Sequence, residues 1–597
     1  MFKGFLHKIL RVADDIGQHV IGRIGQRYFV ILLSLLVGVA SGLAAVTLKH
    51  AIAAVKSVVY SFSSLNYNLV FLISPAIGIL ISLLLVRYVI KGNLGHGITQ
   101  ILRAISKSDS SLPPHHVYSS ILTSSFTIGF GGSVGAEAPI ALTGAGIGSN
   151  IAKVFHFDYK TVTLLMACGA AGGIAGVFKA PIAGVVFTLE ILMLNLTMAS
   201  MVPLMVSAVT ATAITFWFLG QDVEFSAQAI SDFQLHNMPS YLLLGIFSGL
   251  ISLLFTRTLW ATERFMAQQK TPAVKWLMGS VILGILVFLL PPLYGEGYST
   301  ISALLNGRAM NIMSGSPLEA LLGRSDFTIL LYAGFILLLK TVATAATTGA
   351  GGVGGTFAPS LFMGGVAGFF FAQTANTLGL AHLPLANFTL VGMAGVMAGV
   401  MHAPMTAIFL IAEITNGYEL LLPLMLTATV AHVTMAYFEP QSIYTKPLAD
   451  HGELLTHERD KTVLTMMHLD RQIERDFVTI NGDATLGELV KAIASSSRNI
   501  FPVLNSRKEL IGVVMLNDIR TIMFNQELYD ETRVREIMTI PPEFISVDES
   551  MESVMEKFER TGAWNLPVID HRRYVGFVSK SEILTVYRRV LTHIAYE

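Results

Sequence analysis

One carboxylate in this chain stands in a stretch that cannot neutralise it. In GGSVGAEAPI, residues 131–140, Glu137 lies among glycines, alanines and a proline, and the stretch holds no basic residue. Acidic side chains within long apolar sequence are rare, and they usually mark ion or proton pathways. One interpretation is a protonated, hydrogen-bonded acid in the core. The other is that Glu137 is an anion at an anion site, where it competes with a permeating ion.

An internal duplication places Glu137 in the first of two similar segments. GAEAPIALTGAGIG, from Gly135, aligns with GTFAPSLFMGGVAG, from Gly355, at an offset of 220 residues. GIAGVFKAPIAGVVFTLEI aligns with VMAGVMHAPMTAIFLIAEI, which places Glu190 opposite Glu413. Such self-similarity indicates two halves of one ancestral unit. Because Glu190 and Glu413 occupy equivalent positions, we expect both to be structural.

Both halves carry short apolar segments interrupted by glycine and proline, which is the best sequence indication of a transport site near the bilayer midplane. Irregular backbone at that depth is tolerated only inside protein or beside a water-filled cavity. Proline is well tolerated in the first turn of a helix, so Pro139 and Pro359 predict two helix starts. The free N–H groups and the dipole at a helix start favour bound anions. The sequence therefore predicts an anion site at these helix starts.

The composition places most of the chain in lipid. Of 597 residues, 53% are hydrophobic and 13% are charged, and the mean hydropathy is +0.61. At least ten candidate spans, each of about 20 residues, recur between Tyr28 and Phe438. Basic and acidic residues number 40 each, so no excess of charge indicates a nucleic-acid partner. The single cysteine, Cys168, excludes intrachain disulfides and cysteine-based metal clusters, and we expect no metal site.

These motifs, in this order, resemble the CLC family of chloride channels and chloride/proton exchangers over about residues 30–445. The resemblance implies an α-helical polytopic membrane protein of inverted-repeat CLC type. Its transmembrane domain would occupy residues 28–445, with repeats at about 28–220 and 240–445. GAEAP looks like the family's Gly-Arg-Glu-Gly-Pro motif, which would make Glu137 the gating glutamate. The amphipathic segment before this domain, residues 1–27, is expected to lie along the inner membrane surface.

The resemblance also implies an anion site built largely from backbone amides. GGTFAP, residues 354–359, matches the family's Gly-x-Phe-x-Pro motif, and LGHGI, residues 94–98, takes the place of Gly-Ser-Gly-Ile-Pro. Tyr444 lies where the family has a tyrosine whose hydroxyl faces the central anion. The implied anion-binding residues are Gly95, His96, Gly97, Gly135, Gly355, Thr356, Phe357, Ala358 and Tyr444.

Three parts of the chain depart from the family's pattern. His96 replaces a serine that normally offers its hydroxyl to the anion, and an imidazole there could donate an N–H or carry charge. Ala136 and Ala138 stand where the motif has Arg and Gly, so a positive charge beside the gate is lost. Ile191 occupies the position where many exchangers hold the internal proton-accepting glutamate. Because isoleucine cannot carry a proton, the sequence favours a channel over an exchanger.

The tail contains a second duplication. FPVLNSRKELIGVVMLNDI, from Phe501, aligns with LPVIDHRRYVGFVSKSEI, from Leu566. Each copy predicts a strand, a turn, a second strand and a helix, and each follows an extended segment and a helix. This arrangement resembles a pair of CBS domains, which together form an α/β unit. We expect a linker at 446–475, a first CBS unit at 476–540 and a second at 541–597.

CBS pairs often bind adenine nucleotides, and their ribose-binding pattern is a Ser or Thr three residues before an acid. Ser579 and Glu582 keep both groups in the second unit, whereas Met515 precedes Asp518 in the first. The candidate ligand is therefore ATP, ADP or AMP. The alternative is that the tail only packs and dimerises.

Together these features predict a permease for chloride or another small anion, with channel function favoured and gating by protonation of Glu137. We expect no required cofactor, no enzymatic activity, and a homodimer in the cell membrane with both termini and the CBS pair in the cytosol. A chloride/proton antiporter is the alternative. A divalent-cation channel would need clustered carboxylates, and the membrane acids are scattered. An intramembrane hydrolase would need a nucleophile such as Ser133, whose repeat position holds Val353.

Overall fold

The structure is a computed structural model that describes residues 22–63, 67–92, 97–106, 110–192, 198–221, 225, 230–450 and 467–595. Two units divide the chain, Met1–Leu454 and Leu455–Glu597, and each is described by itself. Residues 1–21 of the predicted amphipathic segment and residues 451–466 of the predicted linker lie outside the described residues.

The first unit is built from helices. In chain order they are α1 Gln26–Ser63, α2 Tyr67–Leu84, α3 Gly97–Ser106, α4 His116–Gly129, α5 Glu137–Val154, α6 Tyr159–Phe178, α7 Pro181–Glu190, α8 Met198–Leu219, α9 Met238–Ala267, α10 Pro272–Leu289, α11 Tyr298–Leu305, α12 Pro317–Leu322, α13 Asp326–Gly349, α14 Phe357–Thr377, α15 Leu385–Met401, α16 Pro404–Thr415, α17 Leu421–Phe438 and α18 Lys446–Ala449.

Eight helices within the described ranges are long and apolar enough to cross a membrane, fewer than the ten or more spans expected from the sequence. The difference arises in the duplicated regions, where glycine and proline divide the apolar sequence into shorter pieces. The short apolar helices there are α7, α15 and α16. Helices of this length do not cross a hydrocarbon core alone, because a span needs about 20 residues.

The duplication appears in the structure as two helix pairs with the same close crossing. In the first half, a Cβ atom built on Gly144 of α5 would overlap the carbonyl oxygen of Gly169 on α6. In the second half, Gly364 of α14 meets the carbonyl oxygen of Gly392 on α15 in the same way. The absence of a side chain lets the two backbones touch, as in tightly packed membrane helices. Each pair therefore holds the start of α5 or α14 in a fixed place.

Two acids predicted to be structural join the halves. The carboxylate of Glu190, at the end of α7, accepts hydrogen bonds from the backbone N–H groups of Met405 and Thr406 at 3.0 and 2.7 Å. The carboxylate of Glu413, in α16, accepts from Ile182 and Ala183 at 3.0 and 2.8 Å. Each acid thus caps the start of the helix that carries its repeat mate, which satisfies N–H groups that a helix start leaves unpaired. The structure supports the structural role.

The tail forms two small sheets and their helices, as the second duplication predicts. Its elements are β1 Ile480–Asn481, α19 Leu486–Ala494, β2 Ile500–Leu504, β3 Leu510–Met515, α20 Leu516–Ile519, α21 Val534–Ile537, β4 Ile545–Ser546, α22 Met551–Thr561, β5 Asn565–Asp570, β6 Arg573–Ser579 and α23 Lys580–Ala595. Each sheet has three strands, in the orders β1-β2-β3 and β4-β5-β6, with the first pair parallel and the second antiparallel.

The two halves of the tail exchange their leading segments. Glu474, which precedes the first sheet, pairs with Phe577 in β6 of the second. Thr539, which precedes the second sheet, pairs with Val513 in β3 of the first. This exchange joins the two CBS units into one body.

Candidate anion-binding site

The two duplicated helix starts meet in the interior of the first unit. Gly135, just before α5, and Gly355, just before α14, form an antiparallel bridge. The N–H of Gly135 donates to the Gly355 carbonyl at 2.9 Å, and the N–H of Gly355 donates back at 2.7 Å. A Cβ atom on Gly355 would lie 2.9 Å from the Cβ of Ala138, so a larger residue would force the loops apart. As predicted, each helix begins near its proline, two residues before Pro139 and Pro359.

Two threonines hold these loops by reciprocal contacts. The hydroxyl of Thr347 on α13 accepts a hydrogen bond from the N–H of Ser133 at 3.2 Å. The hydroxyl of Thr127 on α4 accepts from the N–H of Val353 at 3.0 Å. Thr127 and Thr347 are themselves separated by the 220-residue offset of the repeat. Each half therefore fixes the loop of the other, which keeps both helix starts aimed at one place.

The side chain of Glu137 crosses from its own helix to the start of α14. Its carboxylate is buried, with 1% of the residue exposed. One oxygen accepts a hydrogen bond from the Tyr298 hydroxyl at 3.0 Å, and the other lies 3.4 Å from the backbone N–H of Ala358. Thr356 and Phe357, which precede Ala358, are also buried. The carboxyl group of Glu137 thus occupies the helix start that would otherwise be open to an anion.

Tyr444 supplies an unsatisfied donor at the same site. Its hydroxyl is buried near the side chain of Thr356, but it makes no hydrogen bond of ordinary geometry to a residue that the structure describes. Its backbone carbonyl accepts from the Thr99 hydroxyl at 3.3 Å, which ties it to α3, and its side chain lies within electrostatic range of Glu137. A buried hydroxyl without a partner is costly. An anion at this point would satisfy it.

Of the remaining predicted site residues, the structure describes Gly97 and Ile191. Gly97, the first residue of α3, lies against α5, where an added Cβ atom would be 2.7 Å from the carbonyl oxygen of Ala138. Gly95 and His96 lie outside the described residues. Ile191 follows the end of α7 and is 4% exposed in the apolar core, so no charged group stands at that position.

Two functional candidates were missed by the sequence analysis, and one of them contacts Glu137. Tyr298 begins α11 and contacts Glu137 directly. Lys340, on α13, is fully buried, and its ammonium group donates to the Gly295 carbonyl at 3.1 Å and lies 4.7 Å from the centre of the Phe362 ring. A lone lysine in an apolar helix was the signal for Lys340. Tyr298 gave no comparable signal, because its role depends on a contact with a distant segment.

The described residues lend no support to a divalent-cation channel or an intramembrane hydrolase. Among the described residues, no group of three or more His, Cys, Asp or Glu side chains could hold a metal ion. Ser133, the candidate nucleophile of a hydrolase, is buried in the loop held by Thr347.

The candidate nucleotide-binding residues lie at equivalent junctions of the tail. Ser579 ends β6 and its hydroxyl lies 2.8 Å from that of Ser581, while Glu582 is exposed in the first turn of α23. Asp518 is exposed in α20, directly after β3. Ser579 and Glu582 therefore lie on either side of the junction between β6 and α23, and Asp518 lies at the matching point of the first half.

Comparison with known proteins assigns both parts of the chain. A family model described as voltage gated chloride channel matches residues 77–436, and a CBS domain model matches residues 471–525 and 534–589. A voltage-gated ClC-type chloride channel, ClcB, of Escherichia coli O157:H7 is 30% identical over 339 residues, which cover 55% of this chain and 75% of that protein. An H(+)/Cl(-) exchange transporter, ClcA, of Vibrio cholerae is 28% identical over 465 residues, which cover 74% and 93%.

A solved structure supports the same fold. The crystal structure of a slow cyanobacterial Cl-/H+ antiporter has a TM-score of 0.60 at 24% sequence identity, and the match covers 71% of this chain and 97% of that one. At this identity the likeness shows the fold alone. The predicted architecture, a polytopic helical membrane domain followed by a CBS pair, is thereby confirmed.

Proposed function

Because the chain belongs to the voltage gated chloride channel family, called CLC, we propose that it carries chloride across a membrane through the site between α5 and α14. The contact between the Glu137 carboxylate and the Ala358 N–H carries this proposal. A carboxylate at a helix start supports an anion site at this position, since the N–H groups and the dipole there favour negative charge. Chloride has the same charge and can take the same place.

Protonation of Glu137 would let chloride replace the carboxylate at the start of α14. While ionised, the carboxylate holds the Ala358 N–H and blocks the path. Once neutral, it loses most of its attraction to the helix start and can move away. The Ala358 N–H and the Tyr444 hydroxyl are then free to donate to chloride. The protein supplies donors that are already oriented, so little reorganisation is needed when the ion binds.

We favour a channel over a chloride/proton antiporter because Ile191 has no group that can carry a proton on the second side of the site. The antiporter remains the alternative, since the relative from Vibrio cholerae carries the name of an exchanger. A divalent-cation channel is more distant, because the described residues hold no carboxylate cluster.

Reversal potentials in liposomes, measured under opposed chloride and proton gradients, test the proposal. A potential that follows the chloride gradient alone supports a channel. A potential displaced by the proton gradient supports the antiporter. A membrane that gains no chloride conductance when it contains folded protein contradicts chloride transport itself.

We expect His96→Ser to keep transport and to remove an internal pH dependence of chloride binding. Histidine changes charge near neutral pH, and a protonated imidazole attracts chloride. By linkage, chloride binding and protonation strengthen each other by the same factor. Calorimetric chloride affinities at about pH 5.5 and 8 test this. Tighter binding at the lower pH in the wild type alone supports the assignment, and equal pH dependence in both proteins removes His96 from the site.

For the tail, we propose an adenine-nucleotide site at Ser579 and Glu582. ATP, ADP or AMP should stabilise the fragment from residue 455 onward, by roughly 2.7 kcal/mol at a concentration 100 times the dissociation constant. Ser579→Ala combined with Glu582→Gln should abolish the thermal shift, whereas Asp518→Asn should leave most of it. No shift with millimolar nucleotide in the unaltered fragment would leave only the packing role.

The proposal also includes a homodimer with one path per subunit in the cell membrane, and a cytosolic tail. Both halves of a single chain build the site at Glu137, so a path between subunits is not needed. Cross-linking in native membranes and protease access to the tail from each side test these two statements.

A further inference from the structure

A cavity of about 420 Å³ is lined in part by Tyr298, whose hydroxyl contacts the buried carboxylate of Glu137. Its wall includes Glu296, in the segment between α10 and α11, and Tyr298, the first residue of α11. Lys56 and Tyr60, in the second half of α1, also line it. Polar groups are therefore gathered in a pocket next to an apolar core, and the proposed function uses none of them except through Glu137.

The cavity and α18 lie on opposite faces of the first unit. Helices α9 and α17 run in parallel, because the Thr427 hydroxyl donates to the Tyr241 carbonyl near their starts and Arg257 pairs with Glu439 towards their ends. Only residues 268–271 join α9 to α10, so α10 runs back across the unit. The cavity at the end of α10 is thus on the far side from α18.

Tyr298 connects the cavity to Glu137. It lines the cavity and also donates its hydroxyl to the Glu137 carboxylate at 3.0 Å. The ring of Tyr298 meets the ring of Phe225 edge to face, with 5.3 Å between centroids, which fixes its direction. A hydroxyl can accept one hydrogen bond while it donates another. Tyr298 is therefore placed to pass a proton from the cavity to Glu137.

Glu296 is an acidic residue in the wall of the cavity, and other titratable groups surround it. Its carboxylate lies 3.7 Å from the Lys56 ammonium group on α1, and its side chain is 12% exposed. Its neighbours in the chain contact two other titratable groups, since Tyr298 donates to Glu137 of α5 and Gly295 accepts from Lys340 of α13. The other titratable groups that line the cavity are Tyr60 of α1, Tyr294 before α11 and Tyr298 at its start. A negative charge near a carboxylate favours the protonated form of that carboxylate.

We propose that this cavity is the antechamber from which protons reach Glu137 on the face away from α18, with Tyr298 as the relay and Glu296 as the charge that favours protonation. In the transfer, the O–H bond of Tyr298 breaks as its proton passes to the near oxygen of Glu137. At the same time the phenolic oxygen takes a proton from a hydronium ion in the cavity, which leaves a neutral water molecule. Glu137 gains one proton and Tyr298 is unchanged. This inference rests on the proposed gating role of Glu137.

Charge variants of the full-length protein in liposomes test the role of Glu296. Glu296→Gln should move the external pH of half-maximal chloride flux down by roughly one unit, the size expected for a nearby unit charge at an effective dielectric constant of about 20. Lys56→Gln should move it up, because the opposing charge is lost. Glu319→Gln, the same change in an exposed pair with Arg324, should leave it in place. Equal profiles for Glu296→Gln and Lys56→Gln would overturn the electrostatic role.

Thiol labelling of a single substituted residue provides a second test of the electrostatic role. Ser299 is exposed and lines the cavity, and Cys168, the natural cysteine, is buried. A negatively charged thiol reagent on Ser299→Cys should raise the external pH of half-maximal flux, and a positively charged reagent should lower it. Shifts of the same sign for both reagents would contradict the proposal.

The relay itself is tested by the rate of the response. Tyr298→Phe should slow the change in flux after a fast external pH step by at least roughly tenfold, since positioned proton transfer contributes a factor of 10² or more. If Tyr298 only stabilised Glu137 by a hydrogen bond, its loss would shift the protonation equilibrium of Glu137 but would not slow the change in chloride flux. In a Glu137→Gln background, Tyr298→Phe should have no effect on flux.

These outcomes separate the antechamber from the gate. If chloride flux through Glu137→Gln still responds to external pH, the proposed gating role of Glu137 is wrong. If Glu137→Gln is insensitive to pH while Tyr298→Phe responds as fast as the wild type, the gate stands and the antechamber is wrong.

Discussion

Glu137→Gln should leave chloride flux open and nearly independent of external pH. Like a protonated carboxyl group, the amide carries no charge. The start of α14 therefore attracts it less strongly than it attracts chloride. In the wild type, flux should fall roughly tenfold for each pH unit once most copies of the gate are ionised, because the protonated fraction falls by that factor. The measurement is chloride efflux from liposomes over a series of external pH values.

Glu419→Gln is the matched control, since Glu419 is an exposed carboxylate before α17. It should keep the pH dependence of the wild type. If Glu137→Gln abolishes flux in a protein that is still folded, Glu137 assists conduction and does not block it.

Gly144→Ala should reduce flux at least tenfold and lower the stability of the membrane unit. The added methyl group would overlap the carbonyl oxygen of Gly169, and a backbone atom cannot turn aside as a side chain can. Helices α5 and α6 must then separate, at a cost of about 1–3 kcal/mol. Because Glu137 is the first residue of α5, the separation also moves it away from Ala358.

Gly146→Ala is the matched control on the same helix. A Cβ atom there would be 3.4 Å from the nearest side-chain atom, on His116, which is an ordinary contact. It should retain flux and thermal stability in detergent, both measured on the purified protein. Similar losses in both variants would show that α5 tolerates no substitution, rather than that it meets α6 at Gly144.

The sequence was informative about the site wherever a local rule applied. Pro139 and Pro359 predicted helix starts because proline is tolerated in the first turn, and α5 and α14 begin two residues before them. The equivalence of Glu190 and Glu413 indicated a structural role, and both acids cap helices. The repeated strand, turn and helix pattern after Phe501 predicted the elements of the tail.

Long-range contacts were not predictable in the same way. Tyr298 is 161 positions from Glu137 and Ala358 is 221 positions away. No periodicity or composition reports which segments of a membrane domain will meet, because packing of the whole chain decides it. The number of spans was overestimated for a related reason, since an apolar stretch with Gly and Pro reads as a span and folds as shorter helices.

The crossed caps at Glu190 and Glu413 make each half of the membrane unit an incomplete molecule. A half expressed alone would bury one carboxylate without its donors and one helix start without its acceptor, and each such group costs several kcal/mol in hydrocarbon. Two identical copies of an ancestral half could supply both needs to each other. Fusion into one chain would then preserve a dependence that already existed between separate subunits.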